Sequence, residues 1–341
     1  MRLVVVGATG AVGTEILRIL KQRDFPVDEL VAVASVRSAG RRLPFRGSLV
    51  EVRALAPETF EGADVALFDV PDQVARQWAP VAAGAGCSVV DNSAAWRMDP
   101  EVPLVVPEIN ALEAATAPKG IIASANCTTL AVVLPLAVLH SEARLRRVIC
   151  ASYQAASGAG RPGIDELWNQ SEMAAKDPDA VREGRARDVL QPGAAFSHPI
   201  AFNVIPRCGS PKADGYTSEE LKLRDETRKI LGTPDLPVTA TCVRVPVMVG
   251  HSVAVHAEFD DPIAPEEACE LLVGSPGIEL RDDVAGGVYP TPLEAAGRDA
   301  CYVGRIRQDH SDRRSLELFC VADNLRKGAA LNTVQVAELL V

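Results

Sequence analysis

Over the first third of the chain, short continuous apolar runs alternate with segments of helical period. Leu3 to Val6 is apolar throughout, the pattern of a parallel strand buried on both faces. A glycine-rich stretch follows at once, and then Ile16, Leu17 and Leu20 fall on one helical face. "ELVAVAS", ending near Ser35, "DVALFDV", "CSVVDNS" and "GIIASANC" read as further buried strands, with a helical "QVARQWAPVAAGAG" between the middle two. Strands alternating with helices predict an α/β fold, a Rossmann-type doubly wound parallel sheet.

The pattern changes near residue 145. "RRVICASYQAAS", "ATCVRVPV", "HSVAVHAEF" and "SLELFCVAD" are longer strands with alternating polarity, expected of a mainly antiparallel sheet with one face solvated or covered by helices. Residues 160–195 are polar and helical, with Pro and Gly breaks, and "NLRKGAALNTVQVAELLV" ends the chain as a helix with Leu331, Val334, Val336 and Leu340 apolar. The expected organisation is a nucleotide-binding domain over residues 1–127 and an α+β catalytic domain over 128–324. The last helix spans 325–341.

Composition narrows the chemistry. A net charge of −10 argues against a general nucleic-acid binder, which needs a basic face. The eight cysteines include no C-x-x-C pair, and the five histidines do not fall near them at metal-ligand spacing, so no metal site is expected. No uncharged apolar stretch reaches the roughly 18 residues of a membrane span. A cytoplasmic protein with reduced thiols and a small-molecule substrate is expected.

Gly7, Gly10 and Gly13, with Thr9, Ala11 and Val12 between them, lie between strand and helix. Glycines there permit a tight turn and let backbone N–H groups approach a pyrophosphate. An NAD site usually ends its second strand in a carboxylate that holds the ribose. Here that strand runs into "ASVRSAGRR", with Ser35, Arg37 and Ser38, hydroxyls and a cation suited to a 2′-phosphate. The expected cofactor is NADP(H); a solvated basic loop is the plain alternative.

"SANCTT" precedes a long apolar helical run, which puts Cys127 at a helix start. Unpaired N–H groups and the positive end of the helix dipole there favour thiolate. A buried packing cysteine is the competing reading. Asn126 beside it is a candidate oxyanion donor. "GHS" sets His251 in a loop between strands as a candidate proton carrier, and Arg244 on the preceding strand is a candidate carboxylate clamp. In "GYTSEELKLRDETRKILG", Thr217 and Glu220 have capping-box spacing, and Glu219 and Lys222 share a face.

These segments, together with "GATGAVG", "DNSAAWRMDPEVPLVVPEIN", "SYQAASGAG", "FNVIPRC" and "VYPTPLEAAG", resemble bacterial aspartate-β-semialdehyde dehydrogenases, in the same order over nearly the whole chain. The resemblance implies Cys127 as nucleophile, Asn126 as oxyanion donor, Gln154 as the residue orienting substrate, and His251 as acid/base. It implies Arg244 on the substrate carboxylate, Glu219 on its amino group, and Arg97 and Lys222 on phosphate. Ser157, Gly158 and Asn324 would line the nicotinamide of NADP(H). It also implies that the last helix returns to the nucleotide domain and that the protein is a homodimer. The reaction would be reductive dephosphorylation of β-aspartyl phosphate, on the branch leading to lysine, through diaminopimelate, and to threonine and methionine.

Two departures stand out. Where the family usually has a Ser-Ala-Gly turn, this chain has Asp69, Val70, Pro71 and Asp72; the proline's missing N–H and the two acids are expected to weaken cofactor affinity or the preference for NADP over NAD. Val253 replaces a common glutamate after "GHS". An N-acetyl-γ-glutamyl-phosphate reductase would surround its cysteine differently. A CoA-thioester reductase, or a silent paralogue with a binding role, stays open at this stage.

Overall fold

A computed structural model describes residues 1–341. The chain divides into two compact units. The first holds residues 1–130, 225–234 and 325–341, and the second holds residues 131–224 and 235–324.

The first unit is built on seven strands: β1 (Arg2–Val6), β2 (Glu29–Ala34), β3 (Arg53–Ala54), β4 (Val65–Phe68), β5 (Ser88–Asp91), β6 (Leu104–Val105) and β7 (Ile121–Ser124). They run in the order β3-β2-β1-β4-β5-β7-β6, and every pairing is parallel. The order reverses beside β1, where open parallel sheets place their ligand crevice. Apart from Arg2 at the start of β1 and Ser124 at the end of β7, strands β1, β4 and β7 are apolar, and all three are almost wholly buried, as continuous apolar runs require. Helix α1 (Ala11–Gln22) and helix α2 (Asp72–Gly84) connect neighbouring strands. The short strands β3 and β6, and a hairpin of Arg42–Phe45 with Ser48–Glu51, carry no apolar run long enough to mark them in the sequence.

The C-terminal segment packs into this unit. A π-turn at Arg326–Ala330 leads into the final helix, and Leu331, Val334 and Val336 join the core with Ile16, Leu20 and Val5. Lys327 is fully buried, and its Nζ is held by Glu108, Asn332 and Gln335. Four acceptor oxygens on these three residues answer the cost of burying an ammonium.

The second unit is a six-stranded sheet of β8 (Leu145–Gln154), β9 (Val238–Arg244), β10 (His251–Phe259), β11 (Ile278–Leu280), β12 (Cys301–Asp309) and β13 (Asp312–Ala322). Its order is β9-β8-β10-β13-β12-β11. The three inner pairings are antiparallel, and both edge pairs, β8–β9 and β11–β12, are parallel. Helix α4 (Gly160–Lys176) follows β8. Two helices pass from one unit to the other: α3 (Cys127–Ala143), and α5 (Ser218–Ile230), whose residues from Asp225 onward belong to the first unit. No helix is long and apolar enough to cross a membrane.

Candidate active site

In the first unit the glycine loop is a close-packed cradle. Gly7 has φ +94°, and a Cβ there would lie 2.0 Å from the Asp69 carbonyl oxygen. A Cβ on Gly13 would lie 2.2 Å from the Gly7 carbonyl oxygen. Neither position admits a side chain, and Gly10 is exposed just ahead of α1. That is the arrangement a pyrophosphate needs. The Gly7 and Ala8 N–H groups bind the Val33 carbonyl, which ties the loop to β2. The Thr9 hydroxyl meets the Ser38 hydroxyl at 3.5 Å, so loop and second-strand turn share one edge. Ser35 and Arg37 are exposed beside them.

The unusual acidic turn resolves into two different acids. Asp72 opens α2, and its carboxylate accepts the Ala94 N–H. Asp69 accepts Asn92 Nδ2 at 3.0 Å and has an oxygen 3.7 Å from where a Gly10 Cβ would sit. Burial pushes its pKa up, against the pull of Asn92 and Arg97.

Cys127 is the first residue of α3. The Asn126 Oδ1 accepts the N–H groups of Thr128 (2.9 Å) and Thr129 (3.3 Å), a side-chain cap on the helix. The expectation that these N–H groups face the sulfur is therefore corrected: two of them are taken by Asn126. The cap also fixes which end of the amide carries the N–H donors. Arg97 is buried, and its guanidinium donates to the Ser124 carbonyl (2.8 Å), the Asn92 carbonyl (2.7 Å) and Glu226 (3.1 Å).

The second unit gathers the other candidates. His251 is not a loop residue as expected but the first residue of β10, and it is fully buried. Its Nδ1 accepts the Ala155 N–H at 3.0 Å, which puts the neutral ring's proton on Nε2, and Nε2 has no hydrogen-bond partner. Burial, with nearby Arg244, holds its pKa well below the usual histidine value. Arg244 ends β9, donates to the Ala155 carbonyl at 2.7 Å and stacks over Phe196. Gly158 faces both: a Cβ there would lie 2.4 Å from Arg244 Nη1 and 3.1 Å from His251 Nε2. A cavity of about 340 Å³ opens at Gly158, Arg244 and Phe196, with Arg207 and Cys208 also on its wall.

Gln154 ends β8, buried, with its Nε2 on the Ser152 hydroxyl. The Ser157 hydroxyl and the Gly250 N–H both bind Asn324 Oδ1, which links two proposed cofactor contacts to the residue before His251. Thr217 and Glu220 form the capping box, and Glu220 also accepts the Cys242 N–H. Lys222 pairs with Glu219 at 3.4 Å.

Sequence reasoning missed Glu226, which is 1% exposed. Its signal was present: Glu219, Lys222, Glu226 and Lys229 recur at i, i+3, i+7 and i+10 on one helical face. His256, Asp309 and Glu317 do converge in space, on three strands, but His256 is already hydrogen-bonded to Glu317 at 2.7 Å and the patch is half-exposed.

A glycine-rich strand-to-helix loop on a parallel sheet, with a cysteine at a capped helix start, fits the class of nucleotide-dependent oxidoreductases. The family described as "Semialdehyde dehydrogenase, NAD binding domain" matches residues 2–117, and "Semialdehyde dehydrogenase, dimerisation domain" matches residues 136–327. The aspartate-semialdehyde dehydrogenase of Streptomyces akiyoshiensis is 50% identical, over all of this chain and 98% of its own length. That of Aquifex aeolicus is 46% identical, over 100% and 98%. The crystal structure of aspartate semialdehyde dehydrogenase II from Vibrio cholerae complexed with ASA shares 40% identity with a TM-score of 0.92, over 99% of this chain and 97% of that one. The chain belongs to the aspartate-semialdehyde dehydrogenase family.

Proposed function

We propose that the protein is an NADP-dependent aspartate-β-semialdehyde dehydrogenase that converts L-β-aspartyl phosphate to L-aspartate semialdehyde through a thioester on Cys127. The observation that carries this reading is the full-length likeness to the Vibrio cholerae enzyme, which was crystallised with ASA.

In this reading the Cys127 thiolate attacks the acyl carbon and the bond to phosphate oxygen breaks. Arg97 and Lys222 counter the charge on departing phosphate. The Gly7–Gly13 loop, with Thr9, Ser35, Arg37 and Ser38 at the 2′-phosphate and Ser157, Gly158 and Asn324 at the nicotinamide, would hold NADPH, which when bound would supply the hydride that reduces the acyl group. A thioester accepts hydride better than a carboxylate, which is the purpose of the covalent step. His251 Nε2–H and the Asn126 amide N–H donate to the oxygen of the tetrahedral adduct. Its collapse breaks the C–S bond, regenerates the thiolate and releases the aldehyde. Gln154 orients the acyl group, Arg244 grips the substrate carboxylate and Glu219 its ammonium. Residues 1–127 with 325–341 serve the cofactor, residues 128–324 serve catalysis and homodimer formation, and the enzyme works in the cytoplasm for amino-acid biosynthesis.

The test follows NADPH absorbance with L-aspartate semialdehyde, NADP and phosphate. Phosphate-dependent reduction of NADP, abolished in Cys127→Ala, is expected. NAD serving as well as NADP would sink the cofactor assignment. No phosphate-dependent turnover by a folded, cofactor-binding protein would sink the reaction.

A further inference from the structure

One buried carboxylate touches both sides of the proposed phosphate-release chemistry. Glu226 lies on α5, 1% exposed. Its Oε1 meets Arg97 Nη1 at 3.1 Å, and its Oε2 accepts the backbone N–H of Asn126 at 2.6 Å. Asn126 is the residue before Cys127 and caps the helix that Cys127 begins.

One turn further along α5, Lys229 Nζ donates to the carbonyls of Arg97, Asp99 and Val102 at 2.7 to 2.8 Å. Thus α5 holds the backbone around Arg97 through Lys229, and the guanidinium through Glu226. The carbonyls of Asn92 and Ser124 hold the other edges of that guanidinium. An arginine presents its N–H donors in a rigid fork, so these three anchors fix the plane of the Arg97 guanidinium.

We propose that Glu226 is a positioning residue, which aims the Arg97 guanidinium at the phosphate and locks the turn carrying the nucleophile in register with it. The proposal rests on the reading of Cys127 and Arg97 above. A buried ion pair of this kind is weak evidence for stability, but preorganised geometry is what a transition-state contact needs.

Glu226→Gln separates the two contacts. The amide oxygen can still accept from Asn126, while its NH₂ would oppose the Arg97 donors. The expected result is a phosphate KM raised about tenfold, the order lost with one charge-assisted contact, with the semialdehyde KM near wild type. Glu226→Ala, which also frees the Asn126 N–H, is expected to lower kcat and to change the rate of Cys127 alkylation by iodoacetamide. A double-mutant cycle with Arg97→Lys guards against a general folding defect: if Glu226 acts through Arg97, the two effects on phosphate KM are not additive.

Unchanged phosphate KM in Glu226→Gln, additive effects in the cycle, or equal loss of both substrates' affinities would overturn the proposal. So would tighter phosphate binding, since it would mean that the carboxylate merely offsets Arg97's charge. Wild-type protein without phosphate-dependent turnover would instead count against the proposed function. Cys127 alkylation in Glu226→Ala then still tests the link to the nucleophile turn, and a wild-type alkylation rate would overturn it.

Discussion

A neutral imidazole that accepts a hydrogen bond at Nδ1 has only a donor to offer at Nε2. His251 is in that state, so its geometry suits stabilising or protonating an oxygen better than taking a proton from a thiol. Because burial and Arg244 depress its pKa well below 6.5, the neutral ring persists to pH values where an ordinary histidine is charged. The expected pH profile of kcat/KM therefore shows no limb near 6.5 that His251→Gln removes. That variant should lose about 10²- to 10⁴-fold in kcat, the usual value of a positioned proton donor. A histidine limb near 6.5 in wild type that disappears in the variant would contradict this. Gly158 makes a second residue-scale test. A methyl there would press on the Arg244 fork, which Ala155 and Phe196 already hold. Gly158→Ala should cost about 100-fold in kcat/KM for the semialdehyde, as an ångström of misplacement does, while the protein still melts as wild type. The identity of most of these residues was legible in the sequence through local motifs. Their protonation and pairing were not, because Nδ1 of His251 and the Arg244 guanidinium are both fixed by Ala155, a residue about a hundred positions away with no distinctive side chain.

At the scale of the element, Asn126 caps α3 and is also the proposed oxyanion donor. Asn126 Oδ1 binds two first-turn N–H groups, so the N–H donors of its side chain lie on the other end of the amide. Asn126→Asp keeps the capping oxygen and removes those donors. It is expected to melt near wild type and to lose about 10²- to 10³-fold in kcat, as removal of an oxyanion donor does. Asn126→Ala should lose activity and also about 1 kcal/mol of stability, the usual worth of such a cap. Equal melting points for the two variants would deny the cap its role. Strong elements were readable where one signal dominated: β1 from its apolar run, and α5 from its capping box. The edge strands β3 and β6 were not, since two residues cannot display a period. The parallel pairing of β8 with β9 was also hidden, because alternation along a strand records which face is buried and not which way its neighbour runs.

Over the whole molecule, the carboxyl edge of the parallel sheet collects acids that the fold holds in low-polarity surroundings. Asp91 ends β5 with no exposed surface. One oxygen accepts the Ser93 hydroxyl at 2.6 Å, and the other has no partner. Burial outweighs that hydrogen bond and the nearby Arg97, and raises the pKa from 3.8 to about 6. The folded state therefore holds this proton more tightly than the unfolded chain does. The stabilisation from holding it is complete below the unfolded value of 3.8 and is lost as pH rises through about 6. A shift of two pH units corresponds to about 3 kcal/mol at most. Asp91→Asn fixes the neutral form and keeps an acceptor for Ser93. Relative to wild type, the variant should show little gain at pH 4 and a gain that grows through about pH 6 and then levels off to pH 8, measured as the urea or thermal midpoint at half-unit steps. Asp69, also raised by burial, stays in place in both proteins, so the difference between the two curves isolates Asp91. A constant difference from pH 4 to pH 8 would mean that Asp91 is already ionised throughout that range in the fold.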